Sequence, residues 1–91
     1  MEHDLMMAEA VLGRDAEDFL RSELGTFILG RCDVEISEAQ YKLARVSSWR
    51  RRRIQELQNE IWRAETLKGW FAELIQNGRA AEAALDERDR D

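Results

Sequence analysis

Apolar residues recur every three or four positions over two long stretches of the chain. In the first they fall at Leu20, Leu24, Ile28, Cys32, Ile36, Ala39 and Leu43. In the second they fall at Ile54, Leu57, Ile61, Ala64, Phe71 and Ile75, with Lys68 completing the spacing. That period belongs to amphipathic helices with a coiled-coil-like seam, and it predicts two long helices, at about 15–46 and 48–77. Asp15 stands as a cap for the first, with Glu17 and Asp18 in its first turn and Lys42 and Arg45 in its last. Each charge has the sign the helix dipole favours. Ser47-Ser48 is the polar break, Ser48 is the expected second N-cap, and Asn77-Gly78 reads as a stop.

At ~1.5 Å per residue the two helices are about 45–48 Å long, which suits an antiparallel hairpin. Folding at the elbow pairs 43 with 54, 39 with 57, 36 with 61, 32 with 64, 28 with 68, 24 with 71 and 20 with 75, so one register aligns every layer. The fold expected is all-α: a single domain built on a long antiparallel hairpin over 15–78. Lys68, the charged member of the seam, is expected to snorkel outward along its aliphatic stem. Gly25 and Gly30 each cost about 1 kcal/mol inside a helix. Gly25 falls opposite Gly69 and Trp70, which suggests either a close approach of helix or indole, or a tolerated bend.

A second apolar set lies off the seam: Phe19, Phe27, Leu29, Val34 and Tyr41, then Trp62, Trp70 and Leu74. Two facing helices cannot cover all of these, and contiguous apolar patches on a soluble protein mark contact sites. Part of the cover is expected from a short N-terminal helix within 1–12, which carries Leu5, Met6, Met7, Val11 and Leu12. A further turn or two over 79–85 adds to it, and 86–91, without an apolar residue, reads as a flexible tail. The rest points to self-association into a bundle or to a partner protein, with Phe27, Tyr41, Trp62 and Trp70 as the contact residues.

Composition narrows the classes. The chain has 91 residues, a net charge of -5, one cysteine (Cys32), one histidine (His3) and no proline. A domain this small buries only about 60–65% of its unfolded surface, so its own core is thin. One cysteine excludes an internal disulfide framework, and one Cys with one His cannot build a structural zinc site. No run approaches the ~18 apolar residues of a membrane span, and the start lacks a signal peptide's pattern. The expectation is a soluble intracellular protein with no membrane association. Catalysis is not expected either. His3 lies near the terminus, Cys32 lies on the seam where a thiol packs inertly, and no phosphate-binding loop is present. Glu35, Glu38, Glu56, Glu60 and Glu65 have no histidine partner for a carboxylate metal centre; pairs such as Glu56 with Arg52 and Glu60 with Arg63 are expected instead. No metal and no cofactor is expected.

The strongest electrostatic feature is Arg50-Arg51-Arg52-Arg53. Residues 41–53 hold six basic and no acidic residue, whereas residues 1–40 hold three basic and ten acidic. Arginines at a helix N-terminus oppose the dipole, by about 0.3–1 kcal/mol each at low salt, so helix stability does not explain them. The elbow could grip phosphates with Trp49 stacking on a base, dock an acidic protein surface, or simply be solvated. The negative net charge weighs against a dedicated nucleic-acid binder.

Phe19-Leu20-Arg21-Ser22-Glu23-Leu24-Gly25, then Gly30-Arg31-Cys32, then Arg50 to Arg53 running into Ile54-Gln55-Glu56-Leu57-Gln58-Asn59-Glu60-Ile61-Trp62-Arg63-Ala64-Glu65 resemble small uncharacterised helical proteins of tailed bacteriophages and prophages. The likeness covers about 15–78 and carries no catalytic or binding residue across. It implies a phage accessory or virion-assembly role, in the bacterial host cytoplasm or the virion, with a phage or host protein as partner. The function expected is therefore non-catalytic, acting by helix-face docking and self-association. The alternatives are a nucleic-acid-associated packaging or regulatory protein using Arg50–Arg53, and an inhibitor of a host defence complex using the acidic Asp15, Glu17, Asp18 and Glu23.

Overall fold

The computed structural model describes residues 1–90 and forms three helices over them: α1 (Glu2–Arg21), α2 (Glu23–Leu43) and α3 (Arg51–Arg90). The chain is all-α, as its periodicity predicts. α1 and α2 follow one another as one arm of a hairpin, and α3 returns along both. The ion pairs Glu2–Arg88, Arg14–Glu82, Glu17–Arg79 and Asp33–Lys68 link the arms in descending order, the mark of antiparallel packing.

The helix boundaries differ from those the sequence predicts, each for a local reason. The first arm is not one helix from Asp15 to Val46. It starts at Glu2, runs through Asp15 without a cap there, and breaks at Ser22, whose φ of -69° and ψ of 162° are extended. The Ser22 hydroxyl accepts a hydrogen bond from the Gly25 N–H at 3.0 Å, and the Ser22 N–H donates to the carbonyls of Asp18 and Phe19. Ser22 thus serves both helix ends, satisfying one exposed donor and two exposed acceptors. A Cβ on Gly25 would overlap the carbonyl of Phe19, so this break needs glycine there. The N-terminal segment is accordingly the first half of α1, with no separate helix over 1–12.

At the elbow α3 begins at Arg51, with the Ile54 N–H donating to the carbonyl of Arg50; Ser48 lies outside the helix and caps nothing. Asn77-Gly78 does not stop α3, which continues to Arg90, so the turns expected over 79–85 belong to α3 itself and 86–90 is helix rather than tail; Asp91 lies outside the described residues. Gly78 is buried against Gly13, and a Cβ on either glycine would come within 2.7 Å of the other's Cα. Packing between the arms therefore overrides a sequence that ends helices elsewhere. Close approach occurs at this pair, not at Gly25 and Gly69; Gly30 and Gly69 face open space.

The seam is made of small residues. Ala10, Gly13, Ala16, Gly25, Cys32, Ala39, Ala64, Gly78 and Ala81 are buried, and among the described residues Leu57 is the one large side chain fully enclosed. Ile28, Ile36, Ile54, Ile61 and Ile75 are half-buried. Leu24, expected on the seam, is turned out by the break and is 60% exposed. Phe19, expected off it, stacks on Phe71 with centroids 5.4 Å apart. That stack and the Gly13–Gly78 contact set α1 about four to five residues away from the register that would place Leu20 opposite Ile75.

The result is a long thin plate, 63 × 27 × 16 Å, with a radius of gyration of 18.5 Å. A compact chain of this length has a radius near ~12 Å. Its accessible surface is 7226 Å², against about 5,500 Å² for a compact monomer of this mass.

Candidate protein-interaction surface

Helix phase divides the plate into two faces. Successive residues turn by about 100°, so the residue before a seam position lies on one flank and the residue after it on the other. In an antiparallel pair, equivalent flanks of both arms share a face. Arg14 follows Gly13, Asp33 follows Cys32 and Arg79 follows Gly78, and these are the residues that pair with Glu82, Lys68 and Glu17 across the arms. Leu12 precedes Gly13, Leu24 precedes Gly25 and Trp70 precedes Phe71. One face is therefore crossed by ion pairs, while the centre of the other is apolar.

Lys68 does not merely snorkel: its amine meets Asp33, and that hydrogen bond, reinforced by the carboxylate's charge, raises Lys68 above the usual lysine range. Arg14 is raised likewise by its hydrogen bond to Glu82. Near the elbow Glu56 pairs with Arg53 at 3.2 Å rather than with Arg52, and no ion pair joins Glu60 to Arg63 among the described residues.

Phe27, Tyr41, Trp62 and Trp70 are each at least 61% exposed, but they do not form one patch. Trp70 lies on the apolar face. Phe27 and Tyr41 lie on the back of α2, about half a turn from Cys32 and Ala39, and Trp62 lies on the back of α3. Sequence reasoning missed a pattern on the back of α2: Phe27, Gly30, Val34, Ser37 and Tyr41 follow a second spacing of three and four, all exposed and without a charge. The spacing was available in the sequence. Recognising it required knowing that Cys32 and Ala39 face α3.

At the elbow, Trp49 is 79% exposed and lies with Arg50, Arg51, Arg52, Arg53 and Glu56 around an open cleft of 420 Å³. A second cleft joins Tyr41, Lys42, Arg45, Arg50 and Arg53, with the Arg45 guanidinium 3.5 Å from the centroid of the Tyr41 ring. The first turn of α3 has no acidic residue, so the helix N-terminus and the arginines add to one positive potential. At the other end of the plate Glu17 is occupied by Arg79 and Arg21. Cys32 is buried on α2 and His3 lies in the first turn of α1.

No helix among the described residues is long and apolar enough to cross a membrane. Comparison with protein-family models, curated proteins and solved structures finds no match to the chain.

Proposed function

We propose that the protein is a non-catalytic interaction module that associates with itself and docks a partner protein along its helix faces. One observation carries this reading. The hairpin closes on alanines, glycines, Cys32 and a single fully enclosed leucine, while Leu24, Phe27, Val34, Tyr41, Trp62 and Trp70 stay half or more exposed. Burying a large apolar side chain contributes about 1.5–3 kcal/mol, and this chain leaves most of that stabilisation unused as a monomer. Exposed Trp and Tyr are also the residue types that dominate binding energy. The charge-free stripe from Phe27 to Tyr41 suits an amphipathic partner helix. The resemblance to small phage and prophage proteins favours an accessory or virion-assembly role, in the host cytoplasm or the virion.

Affinity capture of the tagged protein from phage-infected bacterial lysate, treated with nuclease, tests the role. Capsid, portal or tail proteins should be retained, and lost on Phe27→Ala with Tyr41→Ala. Capture of a host defence complex instead would contradict assembly and favour inhibition.

A second reading rests on Trp49 standing exposed beside four arginines: the elbow holds nucleic acid, by phosphate contacts and base stacking. It requires affinity that falls steeply with salt and is lost when Arg50–Arg53 are neutralised. No binding at low ionic strength ends it.

A further inference from the structure

We propose that the apolar face is covered by a second copy of this chain, laid antiparallel about a two-fold axis at Trp70. This rests on the self-association read above and assigns it a geometry. The face has an apolar centre, formed by Leu12, Phe19, Leu24, Leu67, Trp70 and Leu74, of which Leu12, Leu24 and Trp70 are more than half exposed. Apart from Asp15, which stands between Leu12 and Phe19 on α1, the charged residues of this flank, Glu9, Arg31, Glu38, Glu56 and Arg63, lie farther out. An apolar centre within a charged rim is the anatomy of a protein interface.

The patch also sits where a two-fold axis needs it. Trp70 is the midpoint of the 40-residue α3, and Ser22 divides the other arm into helices of 20 and 21 residues. A two-fold interface apposes the same patch from both copies. A patch at mid-length lets two plates overlap fully whichever way they run, so charge decides the direction.

The molecule is electrically lopsided along its length. Residues 41–53 at the elbow carry six basic and no acidic residue. At the open end, residues 1–18 carry six acidic and one basic, and residues 79–90 carry four acidic and three basic. Parallel stacking would set elbow on elbow, whereas antiparallel stacking sets each elbow beside the partner's acidic end. With the axis at Trp70, Arg52 of one copy is level with Arg88 of the other, each 18 residues or about 27 Å from the axis. That brings Arg51 and Arg53 level with Asp89 and Glu87. Opposed potentials of this kind fix register and orientation.

The area agrees. The chain's 7226 Å² of accessible surface exceeds that of a compact monomer by about 1,700 Å². A standard interface removes about 800 Å² from each partner, so one covered face fits within that excess.

The test uses the full chain with Cys32→Ala as background. Arg52→Cys and Arg88→Cys variants are mixed and oxidised, and mass is followed by sedimentation. The expected results are a dimer, a disulfide between the two different variants, and none within either variant alone. Trp70→Glu, at an exposed position, should weaken the dimer by at least about tenfold with helicity unchanged. A dimer in which Arg52→Cys links to itself overturns the antiparallel arrangement while leaving self-association standing. A wild-type chain that stays monomeric at high concentration overturns both.

Discussion

Gly13 and Gly78 meet backbone to backbone: a Cβ on Gly13 would lie 2.7 Å from the Gly78 Cα and 2.8 Å from the Leu74 carbonyl oxygen. Both neighbours are main chain, so neither can turn aside as a side chain would. Gly13→Ala and Gly78→Ala should each lower stability by about 1–3 kcal/mol, the cost of overpacking, despite a helix-propensity gain near 1 kcal/mol. Urea unfolding followed by circular dichroism measures it.

Gly30 and Gly69 provide the control. Nothing lies within 4 Å of a Cβ built on either, so Gly30→Ala and Gly69→Ala should stabilise the chain by about 0.5–1 kcal/mol in the same experiment. Opposite signs for the two pairs of glycines would confirm where the arms touch.

The sequence carried the architecture and misplaced its punctuation. Spacing of three and four from Leu20 to Ile75 was enough for an all-α antiparallel hairpin, because the seam recurs through many turns. The breaks were harder. Asp15 and Ser48 resemble caps and Gly78 resembles a stop, but Gly78 is held helical by Gly13, 65 residues away in sequence, and no local signal shows that. Ser22 was legible in principle: a serine followed by Glu23 is an N-cap with an acid in the first turn. It was concealed by the apolar period running straight across it. The exposed aromatics were legible as leftovers. Their separation onto different sides of the plate depends on which residues face α3.

Ser22 and Gly25 define the break between α1 and α2. Ser22→Ala removes the hydroxyl that accepts from Gly25 and should cost about 1 kcal/mol. Gly25→Ala should cost more, since its methyl would overlap the Phe19 carbonyl. A cost for Gly25→Ala no greater than for Gly69→Ala would contradict the break.

Leu57 is fully enclosed, the one large side chain among the described residues to be so. Leu57→Ala should destabilise the chain by about 2–5 kcal/mol, whereas Trp62→Ala, at an exposed position, should leave the unfolding free energy of the monomer unchanged within about 0.5 kcal/mol.

Lys68 titrates above its ordinary value of 10.5, chiefly through its hydrogen bond to Asp33. A raised folded-state value means the ammonium form stabilises the fold: the contribution is full below pH 10.5 and lost as pH climbs through the raised value. The stability difference between the wild type and Lys68→Met should thus hold constant through neutral pH and narrow under alkali. The pair is largely solvent-exposed, so the difference is small.

Whether the chain self-associates is read by sedimentation equilibrium of the wild-type protein over a wide concentration range. The mass should rise with concentration to at least twice the 10.7 kDa of the chain. A mass fixed at that of one chain at every concentration would contradict it.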